Sequence, residues 1–158
     1  MSYSTQEIRN IALAGQAGAG KTTLFEALLH AGGTIQTAGS VDKGTSISDH
    51  DAMERERKHS INSAIASIDT AGAHINLIDT PGFHEFRGQT LSALGAVETC
   101  AIVVDAAVGI VHNTRRLMER AQKRGLCRIL VINKIDHEGA DLEGLVEALR
   151  DEFGNQCL

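Results

Sequence analysis

A chain of 158 residues, 42% hydrophobic and 22% charged, has the size and make-up of one globular domain. Its formal net charge of −5 argues against a domain that itself clamps nucleic acid, and no apolar run reaches the length of a membrane span. The polar start, residues 1–7, lacks the apolar segment of a secretory signal. Cys100 and Cys127 each open an apolar run and read as buried free thiols; with Cys157 they make an odd count without a Cys-x-x-Cys pair, which fits a reducing cytoplasm better than a zinc site.

Residues 8–14, with Ile8, Ile11 and Leu13, predict a first strand. A helix is predicted from near Thr22, where Leu24, Ala27, Leu28 and Ala31 fall at helical spacing. Between them lies Gly15-Gln16-Ala17-Gly18-Ala19-Gly20-Lys21-Thr22-Thr23. A glycine-rich loop that ends in Lys-Thr and joins a strand to a helix is a phosphate-binding loop. Its glycines let backbone N–H groups turn toward an anionic phosphate chain, and the helix adds its positive end. Lys21 supplies charge for the β- and γ-phosphates, and the Thr22 hydroxyl can bind Mg²⁺. A nucleoside triphosphate is therefore the expected ligand.

Residues 32–60 are polar and rich in Gly, Ser, Thr and Asp, too long for an ordinary connection, so this stretch is expected to be functional or mobile. Residues 54–58, Glu-Arg-Glu-Arg-Lys, read as a salt-bridged helical turn within it. His50, His59 and His74 lack metal-ligand spacing and read as surface or loop residues. Alternation over 61–68 predicts a half-buried strand, Ala71-Gly72 a turn, and 74–78 a strand that completes a hairpin. Asp79-Thr80-Pro81-Gly82 follows. Asp79 can hold Mg²⁺ through water, and the Gly82 N–H can reach a γ-phosphate with no side chain in the way.

Next come a helix over 90–98 (Leu91, Leu94, Val97), an apolar strand over 100–105, a polar helix over 113–124 and an apolar strand over 128–132. An amphipathic helix marked by Leu142, Leu145, Val146, Leu149 and Phe153 closes the pattern. Arg116, Arg120, Lys123 and Arg124 form a basic helix face that reads as solvated. Strands alternating with helices predict an α/β fold: a mostly parallel sheet with helices on both faces and a hairpin-paired second strand. The last residues, 153–158, resemble a helix end, a turn and the start of another strand, so the natural protein is expected to be longer.

Asn133-Lys134-Ile135-Asp136 lies at the exit of the strand over 128–132. The Asp136 carboxylate can accept paired hydrogen bonds from guanine N1–H and the 2-amino group, which adenine does not offer. The Lys134 stem can lie over the base, and Asn133 can support the loop. A P-loop kinase or ATPase has no need of a guanine-reading carboxylate there, so GTP or GDP is the expected nucleotide.

The order of these motifs is that of GTP-binding switch proteins. Residues 44–61, 75–86 and 103–114 make the finer match: the chain resembles the nucleotide-binding domain of the translational GTPases of the elongation factor G type. The likeness runs over roughly residues 8–150. It implies the three-layer P-loop NTPase fold, GTP hydrolysis with Mg²⁺, and action on the ribosome through a monomeric full-length protein with further domains, without membrane or sequence-specific nucleic-acid binding. It implies that Ser60, where relatives usually carry Thr, is a Mg²⁺ ligand beside Thr22 and Asp79. A switch segment over about 33–60 and a second over about 79–95 follow from the same likeness.

The chain departs from the family pattern at four places. Gly18 stands where Asp is usual, and Ser60 replaces Thr. Phe83 stands where relatives carry the His that positions the attacking water, and the last base-recognition turn lies past the chain's end. Phe83 has no hydrogen-bonding atom. His84, one residue on, is the remaining candidate beside Lys21 and Gly82, although in a helical segment it would point about 100° away. Slow intrinsic hydrolysis is the expectation.

Overall fold

The computed structural model describes residues 3–48, 51–70 and 72–154. Five strands form one sheet in the order β2-β3-β1-β4-β5: β1 (Ile8–Gly15), β2 (Ala64–Thr70), β3 (Ala73–Asp79), β4 (Thr99–Asp105) and β5 (Cys127–Asn133). The pairs β1–β3, β1–β4 and β4–β5 are parallel, and β2–β3 is the antiparallel hairpin. Gly72, with φ +76°, supplies the left-handed conformation at its turn.

Strand side chains alternate between faces, and this splits the core in two. Ala12, Ala14, Cys100, Ile102 and Val104 face α3 (Arg87–Ala93), α4 (His112–Lys123) and α5 (Leu142–Phe153), where Leu117, Ala121 and Leu149 pack. Leu13, Leu77 and Ala101 face α1 (Lys21–Ala31) through Phe25 and Leu29. The architecture is thus the expected three-layer α/β sandwich.

Three expectations need correction. The strand expected over 61–68 begins only at Ala64, because the Ile61 and Asn62 amides bond the Glu54 carboxylate at 2.8 and 2.9 Å and are lost to the ladder. Glu54 itself lies in α2 (Ala52–Arg57). It turns inward, 2% exposed, to accept those amides and that of Asp51, rather than pairing along the surface of a salt-bridged turn. The helix expected over 90–98 stops at Ala93: the Gly95 N–H reaches back only three residues, to Ser92, which closes the helix while Leu94 and Val97 stay buried.

The polar stretch after α1 rests on a second buried carboxylate. Glu26 of α1 accepts from Gly39 N (2.8 Å), Ser46 Oγ (2.8 Å) and Ile47 N (2.6 Å). Inward carboxylates that gather amides let a sequence with few apolar residues fold against the domain.

Cys100 is buried as expected, but Cys127 is exposed because it opens the edge strand β5, and Cys157 lies outside the described residues. Burial pushes the Cys100 thiol up to about 12. Native-state alkylation followed by peptide mass mapping is therefore expected to modify Cys127 readily and Cys100 only after denaturation. Labelling of Cys100 at a rate near that of Cys127 would contradict this packing.

Candidate functional site

The phosphate loop spans the end of β1 and the start of α1. Gly18 (φ +78°) and Gly20 (φ +87°) hold the turn that points α1's first N–H groups into the loop, so the helix's positive end faces the space where phosphates would sit. Gly18 thus occupies a left-handed position that favours glycine and also tolerates Asp. A Cβ at Gly20 would collide with the Asn133 side-chain amide, which donates to Ala19 O at 2.9 Å. The 133–136 loop and the phosphate loop are in this way tied directly together.

Lys21 is 6% exposed, and its Nζ donates to Gln16 O at 2.9 Å. Burial lowers its pKa from 10.5 to about 8, against an opposing pull from Asp79, which is itself 1% exposed. The Asp79 charge only partly offsets the burial of this ammonium, and a polyphosphate would supply further negative charge.

Three oxygens meet beside it. Thr22 Oγ1 donates to Asp79 Oδ2 at 2.6 Å and lies 3.1 Å from Ser60 Oγ. These are the three residues expected to serve Mg²⁺, brought together from α1, the end of β3 and the long polar stretch. Thr80 anchors the Asp79–Gly82 turn, donating from Oγ1 to Leu13 O at 2.8 Å. Gly82 packs so closely on the phosphate loop that a Cβ there would stand 2.5 Å from both Ala17 N and Lys21 Nζ. Only a glycine can bring its backbone so near.

Around these groups lies a cavity of about 470 Å³, lined by Gly18, Lys21, Thr22, Thr23, Ser60 and Gly82 among others. Phe83 lines it as well. His84 does not: it sits on a short 3-10 turn, His84–Phe86, and opens on a neighbouring cavity with Arg87, His112 and Arg116. Gln16 and Ala17 also line that second cavity, together with Gly15. Sequence reasoning missed His59, which lines the phosphate cavity beside Ser60. Its lack of metal-ligand spacing hid it, because what places it is the fold of the polar stretch.

Beyond β5, Lys134 adopts φ +58°, and its Nζ pairs with Asp105 Oδ2 at 2.8 Å. That hydrogen bond holds the Asp105 carboxyl below the usual carboxylate range. Asp136 is exposed on the same loop. On the loop that the sequence singles out, Asn133 is thus tied to the phosphate loop, Lys134 is held by Asp105, and Asp136 stands at the surface.

Comparison with known proteins agrees with this geometry. The family model described as the Elongation factor Tu GTP binding domain matches residues 6–157. The chain is 37% identical over 151 residues to an elongation factor G-like protein of Mycobacterium tuberculosis, covering 96% of this chain and 21% of that one. It is 39% identical over 144 residues to an oxytetracycline resistance protein of Streptomyces rimosus, covering 91% and 22%. A crystal structure of a Thermus thermophilus protein superposes with a TM-score of 0.89 at 35% identity, covering 94% of this chain and 22% of that one. The chain spans about a fifth of the length of the relatives it matches. With the family model matching residues 6–157, the chain belongs to the elongation factor Tu GTP-binding domain family.

Proposed function

We propose that the chain is the GTP-binding and GTP-hydrolysing part of a translation factor of the elongation factor G type, acting on the ribosome in the cytoplasm as a monomer. The observation that carries the reading is the joining of two recognition loops by one bond, Asn133 to Ala19 O, beside the buried Lys21. The relatives named as elongation factors and tetracycline resistance proteins support the ribosome as partner. No helix among the described residues is long and apolar enough to cross a membrane.

Magnesium fits the donor set: three hard oxygens, from Thr22, Asp79 and Ser60, suit a small divalent cation. When bound, the ion would neutralise charge on the phosphates. The backbone of residues 15–20 and Lys21 would cradle the phosphates, the Gly82 N–H would face the γ-phosphate, and Asp136 would select guanine. Residues 33–60 and 79–95 are proposed as the two switch segments, with Ser60 and Gly82 as the groups that sense the γ-phosphate. β5 is the edge of the sheet among the described residues, with Ile129 exposed, and we read that edge as the pairing site for a further strand in a longer chain.

A second reading, a GTP-gated binding switch with little hydrolysis, is favoured by one observation: Phe83, 41% exposed in the phosphate cavity, offers nothing to hold a water. GTP turnover measured with and without ribosomes decides between them. Stimulation by ribosomes of about 10-fold or more supports the factor. GTP binding without turnover in either condition supports the switch.

A further inference from the structure

The imidazole that Phe83 lacks is present on the facing segment. The His59 ring packs on Phe83 with centroids 4.5 Å apart at 49°, and lies 6.4 Å from the Phe86 ring. It lines the same cavity as Lys21, Thr22 and Ser60, whereas His84 opens on the neighbouring one; Gly82 and Phe83 line both. Its Nδ1 sits 3.0 Å from Arg57 O. A carbonyl can only accept, so Nδ1 is the nitrogen that donates, and in the neutral imidazole this leaves Nε2 as the acceptor.

The loop that presents this ring is held on both sides. The His59 N–H donates to Glu54 O at 3.2 Å, and Glu54 Oε1 takes the Ile61 and Asn62 amides just beyond Ser60. Glu54 is 2% exposed, so these bonds are shielded from competing water. His59 and Ser60 are thereby positioned together, with Phe83 as the surface against which the imidazole is oriented.

We propose that His59 positions the attacking water for hydrolysis, taking from the segment before β2 the part that relatives assign to the residue after Gly82. This rests on the hydrolysis reading above. Nε2 accepts a hydrogen bond from the water and points its oxygen at the γ-phosphorus. The bond from that oxygen to phosphorus forms as the bond from phosphorus to the bridging oxygen of the β-phosphate breaks. GDP leaves with the electron pair of the broken bond, one water proton passes to a γ-phosphate oxygen, and dihydrogen phosphate is released. His59 ends the step in the form in which it began.

The test is single-turnover hydrolysis of preloaded Mg·GTP, with GTP and GDP affinities measured on the same samples. His59→Ala is expected to slow turnover about 100-fold while nucleotide affinity stays within about 3-fold. Added imidazole restores turnover in His59→Ala and leaves the wild type unaffected, and His59→Gln, which retains an acceptor, loses about 10-fold or less. A role confined to packing predicts no rescue by imidazole, and that result overturns the proposal. So does a His59→Ala variant of wild-type rate, or one that hydrolyses normally while His84→Ala does not. A wild-type chain that binds GTP and never turns it over, with or without ribosomes, refutes the hydrolysis reading itself and His59's part with it. Turnover in the wild type together with an unaffected His59→Ala refutes His59's part alone.

Discussion

Replacing Asp136 with Asn is expected to lower GTP affinity by about 10²–10⁴-fold and to convert the site to xanthine nucleotides. In the proposed binding mode the carboxylate would face two donors on guanine, N1–H and the 2-amino group, and each hydrogen bond to a charged acceptor contributes about 1.5–3 kcal/mol. Asn keeps the oxygen but turns a donor toward the 2-amino position, where xanthine carries a carbonyl. The loop is built to hold its geometry through this change. Asn133 stays bonded to Ala19 O, and Lys134 stays paired with Asp105 at 2.8 Å. Equilibrium titration of both variants with GTP and xanthosine triphosphate measures the exchange. A variant that loses both ligands equally would place the specificity elsewhere.

Lys21→Met is expected to do two opposite things: abolish measurable nucleotide binding and stabilise the unliganded fold. Burial pushes Lys21 down from 10.5 to about 8, so the unfolded chain holds this proton more tightly than the folded one. The charged lysine thus lowers folded stability at every pH below about 8, and the deficit disappears as pH rises toward 10.5. A shift of this size corresponds to about 3 kcal/mol at neutral pH. Methionine fills a similar volume without the charge. The metal- and nucleotide-free variant is expected to melt on the order of 5 °C higher than the wild type at pH 7, with the difference shrinking above pH 8. Destabilisation by the variant at pH 7 would show that Lys21's bond to Gln16 O outweighs its desolvation.

Such a gain would explain why the site looks as it does. A cation held in a dry cradle is a standing cost that bound phosphate offsets, so function and stability pull apart at the loop. The same tension shows in the long polar stretch, which buries Ser46, Ser48 and Glu54 and docks on the Glu26 carboxylate of α1 rather than on an apolar core of its own.

The phosphate loop, Asp79–Gly82 and the 133–136 loop were legible in the sequence because each is a local constellation. Residue type, spacing and a flanking strand suffice to recognise it, and parallel strands with alternating helices predict the sheet. What eluded the sequence depends on contacts between distant segments. Glu54 reads as one charge among five on a helical turn, and only burial reveals it as the acceptor that delays β2 to Ala64. Cys127 opens an apolar run, yet its strand is at the sheet edge and the thiol is exposed. His59 carries no spacing signal at all, since its place beside Phe83 is made by the path of a segment with little periodicity.

The most direct test of the account is a competition titration of GTP against ATP in the presence of Mg²⁺. The paired donors of guanine and the carboxylate of Asp136 predict GTP binding at least about 10³-fold tighter than ATP, as expected for a site that reads a donor pair. Removing Mg²⁺ is expected to weaken GTP binding, because Thr22, Ser60 and Asp79 are the proposed ligands of an ion that would neutralise the phosphates. Equal affinities for GTP and ATP would contradict the assignment of this chain's site to guanine nucleotides.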